Sequence, residues 1–159
     1  MEFIKRFGDK RPEYPKAYRE SVVNSFAYVG GRDEEGKYES GKYFSNVYEL
    51  FMYAALLGLR KDYRLPVEGM DTQEFIKISS WQPTEISNFI LMALLAKSNL
   101  DLNELEEMEE KKVEAELTGL SKLLEEYANG GFDLIQTRLK QEPSFFDDEF
   151  CFLTLLEDD

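Results

Sequence analysis

Three groups of side chains in this 159-residue chain are of types that do chemistry. The first is carboxylate: Asp147, Asp148 and Glu149 stand together, and Glu106, Glu107, Glu109 and Glu110 form a second cluster. A divalent cation needs carboxylates that converge from separate elements, and neighbours along a helix point apart. Both clusters therefore read as solvated faces, with a carboxylate-dependent metal enzyme kept as an alternative. The second is Cys151, which lies between Phe150 and Phe152 and reads as a buried, inert thiol. The third is a basic turn, Arg60, Lys61 and Arg64 with Tyr63, directly after an apolar run. A helix C-terminus favours cations, which accounts for one or two of them. The turn also offers a contact surface for a phosphate or an acidic partner. Arg60, Lys61, Tyr63 and Arg64 are thus the candidate partner-binding residues.

Other chemistry is missing from the sequence. There is no histidine, which removes Ser-His-Asp and Cys-His nucleophiles, His-ligated zinc and the commonest general base. No G-x-x-x-x-G-K-[ST] and no G-x-G-x-x-G occurs. No catalytic residue, metal ligand or cofactor is assigned.

The net charge of −13 is unevenly placed. Residues 1–100 hold 14 acidic and 14 basic side chains, and residues 101–159 hold 18 and 5. Such an acidic half repels phosphate, so direct nucleic-acid binding by the chain alone is disfavoured. A basic edge remains at Lys5, Arg6, Lys10, Arg11, Lys16 and Arg19. It keeps a nucleic-acid-directed module as an alternative, and the acidic helix keeps a DNA mimic as another. A single cysteine excludes an internal disulfide and fits a reducing compartment such as the cytoplasm. The opening "MEFIKRFGDKRPEY" shows no signal-peptide pattern.

The elements that must position these groups are helical. The ten-residue run Leu50 to Leu59 is too short to span a membrane and fits a buried core helix. Asn46 and Glu49 have capping-box spacing, and Gly58 reads as the stop of a helix over 46–58. Its apolar residues lie all round, so it is buried all round. A second apolar helix follows Pro83, over 83–98, and the two are expected as the central pair of a bundle. Tyr18, Val22, Val23 and Phe26 predict a helix over 14–29, and the glycine-rich 30–43 predicts a mobile loop or short hairpin. For 74–80 the pattern leaves strand and helix open. Leucines spaced three and four apart predict an acidic outer helix over 101–128 with a break between Met108 and Val113. Asn129-Gly130-Gly131 is expected to end it, with a short helix over 132–140 beyond. The aromatic tail, Phe145 to Leu156, is expected to close the core, or else to pack on a partner or a second copy. The fold class is all-α or nearly so, one domain over 1–159 with about six helices and an acidic half over 101–159.

Two stretches carry a resemblance. Phe44-x-x-x-x-Glu49-Leu50-Phe51-x-x-Ala54-Ala55-x-Leu57-Gly58, followed by Arg64-x-Pro66, resembles small bacterial proteins associated with DNA phosphorothioation and related phage-defence gene clusters. "YANGGFDLI" at 127–135 is similar to that family's late Tyr-x-x-Gly-Gly turn. The resemblance implies a cytoplasmic accessory protein of bacterial defence and supplies no catalytic residue. The expected function is a non-enzymatic interaction protein with a larger protein partner or a second copy of itself, and no membrane role.

Overall fold

The computed structural model describes residues 2–28 and 43–158. Except for Tyr43, the loop expected over 30–43 lies outside the described residues. Among them the chain forms seven α-helices and one small two-stranded sheet. Helix α1, Glu2–Gly8, leads to strand β1, Glu13–Pro15. A π-helical turn, Arg19–Val23, then runs into α2, Asn24–Phe26. Helix α3 spans Val47–Lys61, and strand β2, Thr72–Glu74, precedes a 3-10 turn at Ile78–Ser80. The others are α4, Thr84–Ser98; α5, Leu102–Glu107; α6, Glu110–Gln141; a 3-10 turn at Pro143–Asp147; and α7, Cys151–Glu157.

Helix α3 begins as its sequence predicts. The Asn46 side chain accepts from the Glu49 N–H at 3.0 Å, and the Glu49 carboxylate reaches back to the Ser45 N–H at 2.9 Å. The helix does not stop at Gly58. It runs to Lys61 and ends on Asp62 in the left-handed region, with the Tyr63 N–H on the Gly58 carbonyl at 2.8 Å.

The reason lies on α6, which is the true partner of α3. A Cβ on Gly131 would lie 1.8 Å from the Ala54 oxygen, and one on Gly58 would lie 2.1 Å from the Tyr127 oxygen. Contacts that rise by four on one helix and fall by four on the other make the pair antiparallel. Gly130 admits the chain after α3, since a Cβ there would stand 2.2 Å from the Tyr63 oxygen. Asn129, buried beside it, donates to the Leu65 and Pro66 carbonyls at 3.1 and 3.2 Å. "YANGG" is therefore the middle of one 32-residue helix and the place where two backbones touch. The expected helix end at 129–131 and the separate helix over 132–140 are corrected accordingly. The break near Met108 is present: Met108 and Glu109 are extended, with ψ of 148° and 149°, between α5 and α6.

Helix α4 is the second expected core helix, but it does not pair with α3 as the centre. It buries Ser87, Ile90, Leu91, Leu94 and Leu95 and leaves Phe89 and Met92 exposed. The helix expected over 14–29 is likewise shorter, because Glu13–Pro15 pairs antiparallel with Thr72–Glu74, Tyr14 opposite Gln73. Within 74–80, where the sequence left strand and helix open, only Glu74 belongs to a strand and Ile78–Ser80 forms a 3-10 turn.

Aromatic side chains fill the space on two sides of α3. On one, Phe51 lies 4.9 Å from Phe75, 5.4 Å from Trp81 and 6.2 Å from Phe132. Phe132 stacks on Tyr18 at 5.3 Å. On the other, Phe152 of the tail meets Phe26, Tyr43, Phe44 and Tyr53 at 5.0–5.2 Å. The tail closes the core: Phe146, Cys151, Phe152 and Leu155 are buried, while Phe150 and Leu153 stay outside. Burial raises the Cys151 thiol above its ordinary pKa, in keeping with an inert side chain.

One half-buried acid has a testable consequence. Glu125 of α6 accepts the Glu13 N–H at 2.7 Å, which ties β1 to the helix. Burial first, with the Glu13 and Glu126 carboxylates nearby, pushes its pKa from the ordinary 4.5 up to about 7, against the pull of the Glu13 N–H and Lys122. The folded state thus holds a proton that the unfolded chain releases at lower pH. Stability is fullest below about pH 4.5 and falls as pH rises to about 7. Glu125→Gln keeps an acceptor and removes the charge. In urea unfolding it should exceed the parent by about 1–2 kcal/mol at pH 8, a figure discounted for partial exposure, and match it at about pH 4.

Candidate functional site

The four residues of the basic turn do not act as one patch. Arg60 is exposed and, among the described residues, takes part in no ion pair. Arg64 turns toward α6, with its guanidinium 3.6 Å from Glu126 and 6.0 Å from the Tyr127 ring centre. Lys61 and Tyr63 instead line a cleft of about 430 Å³ between α3, α6 and α7.

The cleft is built from the α3–α6 crossing outward. Leu57, Leu134 and Leu155 form its apolar floor. Lys61, Tyr63, Arg138 and Gln141 stand around it. The Tyr63 hydroxyl donates to Asp133 at 2.8 Å, which raises the phenol above its ordinary pKa and fixes the ring against α6. Arg138 lies over the Phe145 ring at 4.3 Å and reaches Asp158 at 3.5 Å and Glu142 at 3.9 Å. Lys61 has no carboxylate partner among the described residues. The result is an apolar-floored cleft with two cations, one of which already holds a carboxylate from the chain's own end.

The cleft lining contains no cysteine and no histidine. Cys151 is buried, and the chain has no histidine. Among the described residues no three carboxylates or thiols gather to hold a metal ion. Arg138 went unrecognised in the sequence because a helix ended at 129–131 does not carry it to the cleft. Half of the six cations of the basic N-terminal segment are engaged by carboxylates. Arg6 pairs with Glu110 and Glu114 at 2.8 and 2.7 Å, Lys10 with Glu114 at 2.8 Å, and Lys16 with Asp71 at 3.5 Å. Among the described residues no helix is long and apolar enough to cross a membrane.

No curated protein and no solved structure shows significant similarity to the chain. A family described as DNA sulphur modification system-associated protein 4 matches residues 34–158, which take in α3, the "YANGG" crossing and the whole cleft. The resemblance carried by Phe44 to Gly58 with Arg64 and Pro66, and by 127–135, is therefore borne out, as is the association with DNA phosphorothioation clusters. The chain belongs to the DNA sulphur modification system-associated protein 4 family.

Proposed function

We propose that the protein is a non-enzymatic accessory component of its DNA sulphur modification system, and that it works by docking another protein of that system. The observation that carries this reading is the pairing of Lys61 and Arg138 above an apolar floor, with Arg138 already closed on the Asp158 carboxylate. A cleft that accepts a carboxylate of its own chain has the geometry to accept an acidic segment of a partner. On this reading Asp158 is a placeholder that the partner displaces. The protein acts in the bacterial cytoplasm and serves phage defence through the system it assists.

Engagement of Arg6, Lys10 and Lys16 by carboxylates argues against the nucleic-acid reading. Self-association through the tail has weaker support, since only Phe150 and Leu153 of its large apolar side chains are strongly exposed. The test is affinity capture of the tagged chain expressed together with its gene cluster. The parent should retain a system protein. Lys61→Glu with Arg138→Gln should lose at least about 90% of it, given the size of charged hot-spot losses, while still unfolding cooperatively.

A further inference from the structure

A second surface has a different chemistry. On α4, Phe89 is 63% exposed and Met92 45% exposed, three residues apart on one face. Below Met92 runs a shallow groove of about 640 Å³, walled by Leu95, Ala96, Leu100 and Leu102 and edged by Asn99, Asp101 and Asn103. It opens beside α5, whose exposed side chains are Asn103, Glu104, Glu106 and Glu107. Glu104, Glu107 and Glu109 line the adjoining depression of about 440 Å³, with Lys112 among them.

The carboxylates at the two ends of this acidic stretch behave differently. Glu110 and Glu114, at the start of α6, are neutralised by Arg6 and Lys10. Among the described residues Glu104, Glu107 and Glu109 have no such partner. An exposed apolar face bordered by net negative charge is complementary to one kind of ligand. Its apolar side chains would cover Phe89, Met92 and the groove, and its cations would face α5.

We propose that the α4–α5 face docks a basic amphipathic helix of a partner protein. Such a helix presents apolar anchors every three or four residues, which matches Phe89 and Met92 on α4. This surface is separate from the Lys61–Arg138 cleft and takes a ligand of opposite charge, so the two readings stand or fall independently.

The test uses the full chain and a synthetic helical peptide with leucines at i, i+3, i+4 and i+7 and lysines elsewhere. A control peptide carries glutamates in place of the lysines. The lysine peptide should bind, weaken with added salt, and protect amides of 88–109 from hydrogen exchange. The glutamate peptide should not bind. Phe89→Ser with Met92→Ser should weaken binding at least about tenfold, as loss of central apolar anchors does. Glu104→Gln, Glu107→Gln and Glu109→Gln together should weaken binding at low salt and flatten its dependence on salt. Because these side chains are exposed, all variants should keep the parent's melting temperature. Binding unchanged in both sets of variants would overturn the proposal, as would protection outside 88–109. Peptide-independent dimerisation that covers α4 would overturn it too, since the occupant would then be a second copy.

Discussion

Gly131→Ala should cost the domain at least about 4 kcal/mol, at the extreme end of single-substitution effects. The ordinary cost of overpacking is about 1–3 kcal/mol, and it assumes that side chains can shift aside. Here the obstacle is backbone. The added Cβ would lie 1.8 Å from the Ala54 oxygen and 2.5 Å from its carbon, so α3 and α6 must separate along their crossing. For a domain of this size that cost corresponds to a fall in melting temperature of about 8–16 °C. Helix propensity pulls the other way, because alanine is the better helix former by about 1 kcal/mol. Gly119, on the same helix, isolates that term: nothing lies within 4 Å of its Cβ position. Gly119→Ala should therefore raise stability by about 0.5–1 kcal/mol. Urea unfolding of the two variants checks both signs. Equal effects at the two positions would mean that the helices do not touch at Gly131.

Phe152→Ala should remove about 3–5 kcal/mol, the range for a large buried ring. Its ring is the hub of the second aromatic cluster, within 5.4 Å of Phe26, Tyr43, Phe44, Tyr53 and Phe146. The loss is local in origin but reaches far along the chain, since the tail is also held by hydrogen bonds. The Tyr53 hydroxyl donates to the Phe152 carbonyl at 2.5 Å, and the Tyr43 hydroxyl to the Phe146 carbonyl at 2.7 Å. Tyr53 is buried enough that its phenol stays protonated well past its ordinary range, so this donor persists at any physiological pH. Phe150 provides the contrast. It is 59% exposed, and Phe150→Ala should change stability by no more than about 0.5 kcal/mol. Chemical denaturation monitored by far-ultraviolet circular dichroism separates the two.

These two sites also show what the sequence can and cannot reveal. The helix at 46–58 was legible because its cap and its apolar run are local signals, and Asn46 and Glu49 bond as their spacing predicts. The break after Met108 was legible for the same reason, as a five-residue shift in the leucine pattern. The tail was legible as core because its rings leave few places to go. Gly58, Gly130 and Gly131 misled because glycine has two uses. Locally it ends helices; here it lets a second backbone approach, and the approaching residue is about 70 positions away in sequence. The strand at Glu13–Pro15 was hidden likewise, since its partner is Thr72–Glu74. The errors compound at the candidate site. Once α6 is cut at Gly131, Arg138 loses its place opposite Lys61, and the basic turn looks like a patch of four. The continuous helix divides that patch, with Lys61 and Tyr63 in the cleft, Arg64 on Glu126 and Arg60 in solvent.

The motif that carries the family resemblance therefore encodes packing. Tyr127 and Gly131 meet α3 itself at Gly58 and Ala54, while Asn129 and Gly130 hold the chain that follows it. That crossing sets the spacing between Lys61 and Arg138, so the packing residues and the proposed docking residues belong to one device. The measurement that tests this most directly is quantitative affinity capture from cells expressing the whole modification gene cluster, comparing the parent with the Lys61→Glu, Arg138→Gln variant at matched soluble yield. The parent should retain a protein of the system, and the variant should lose it while keeping a cooperative unfolding transition. Equal retention by the two, or capture of no system protein by the parent, would contradict the account.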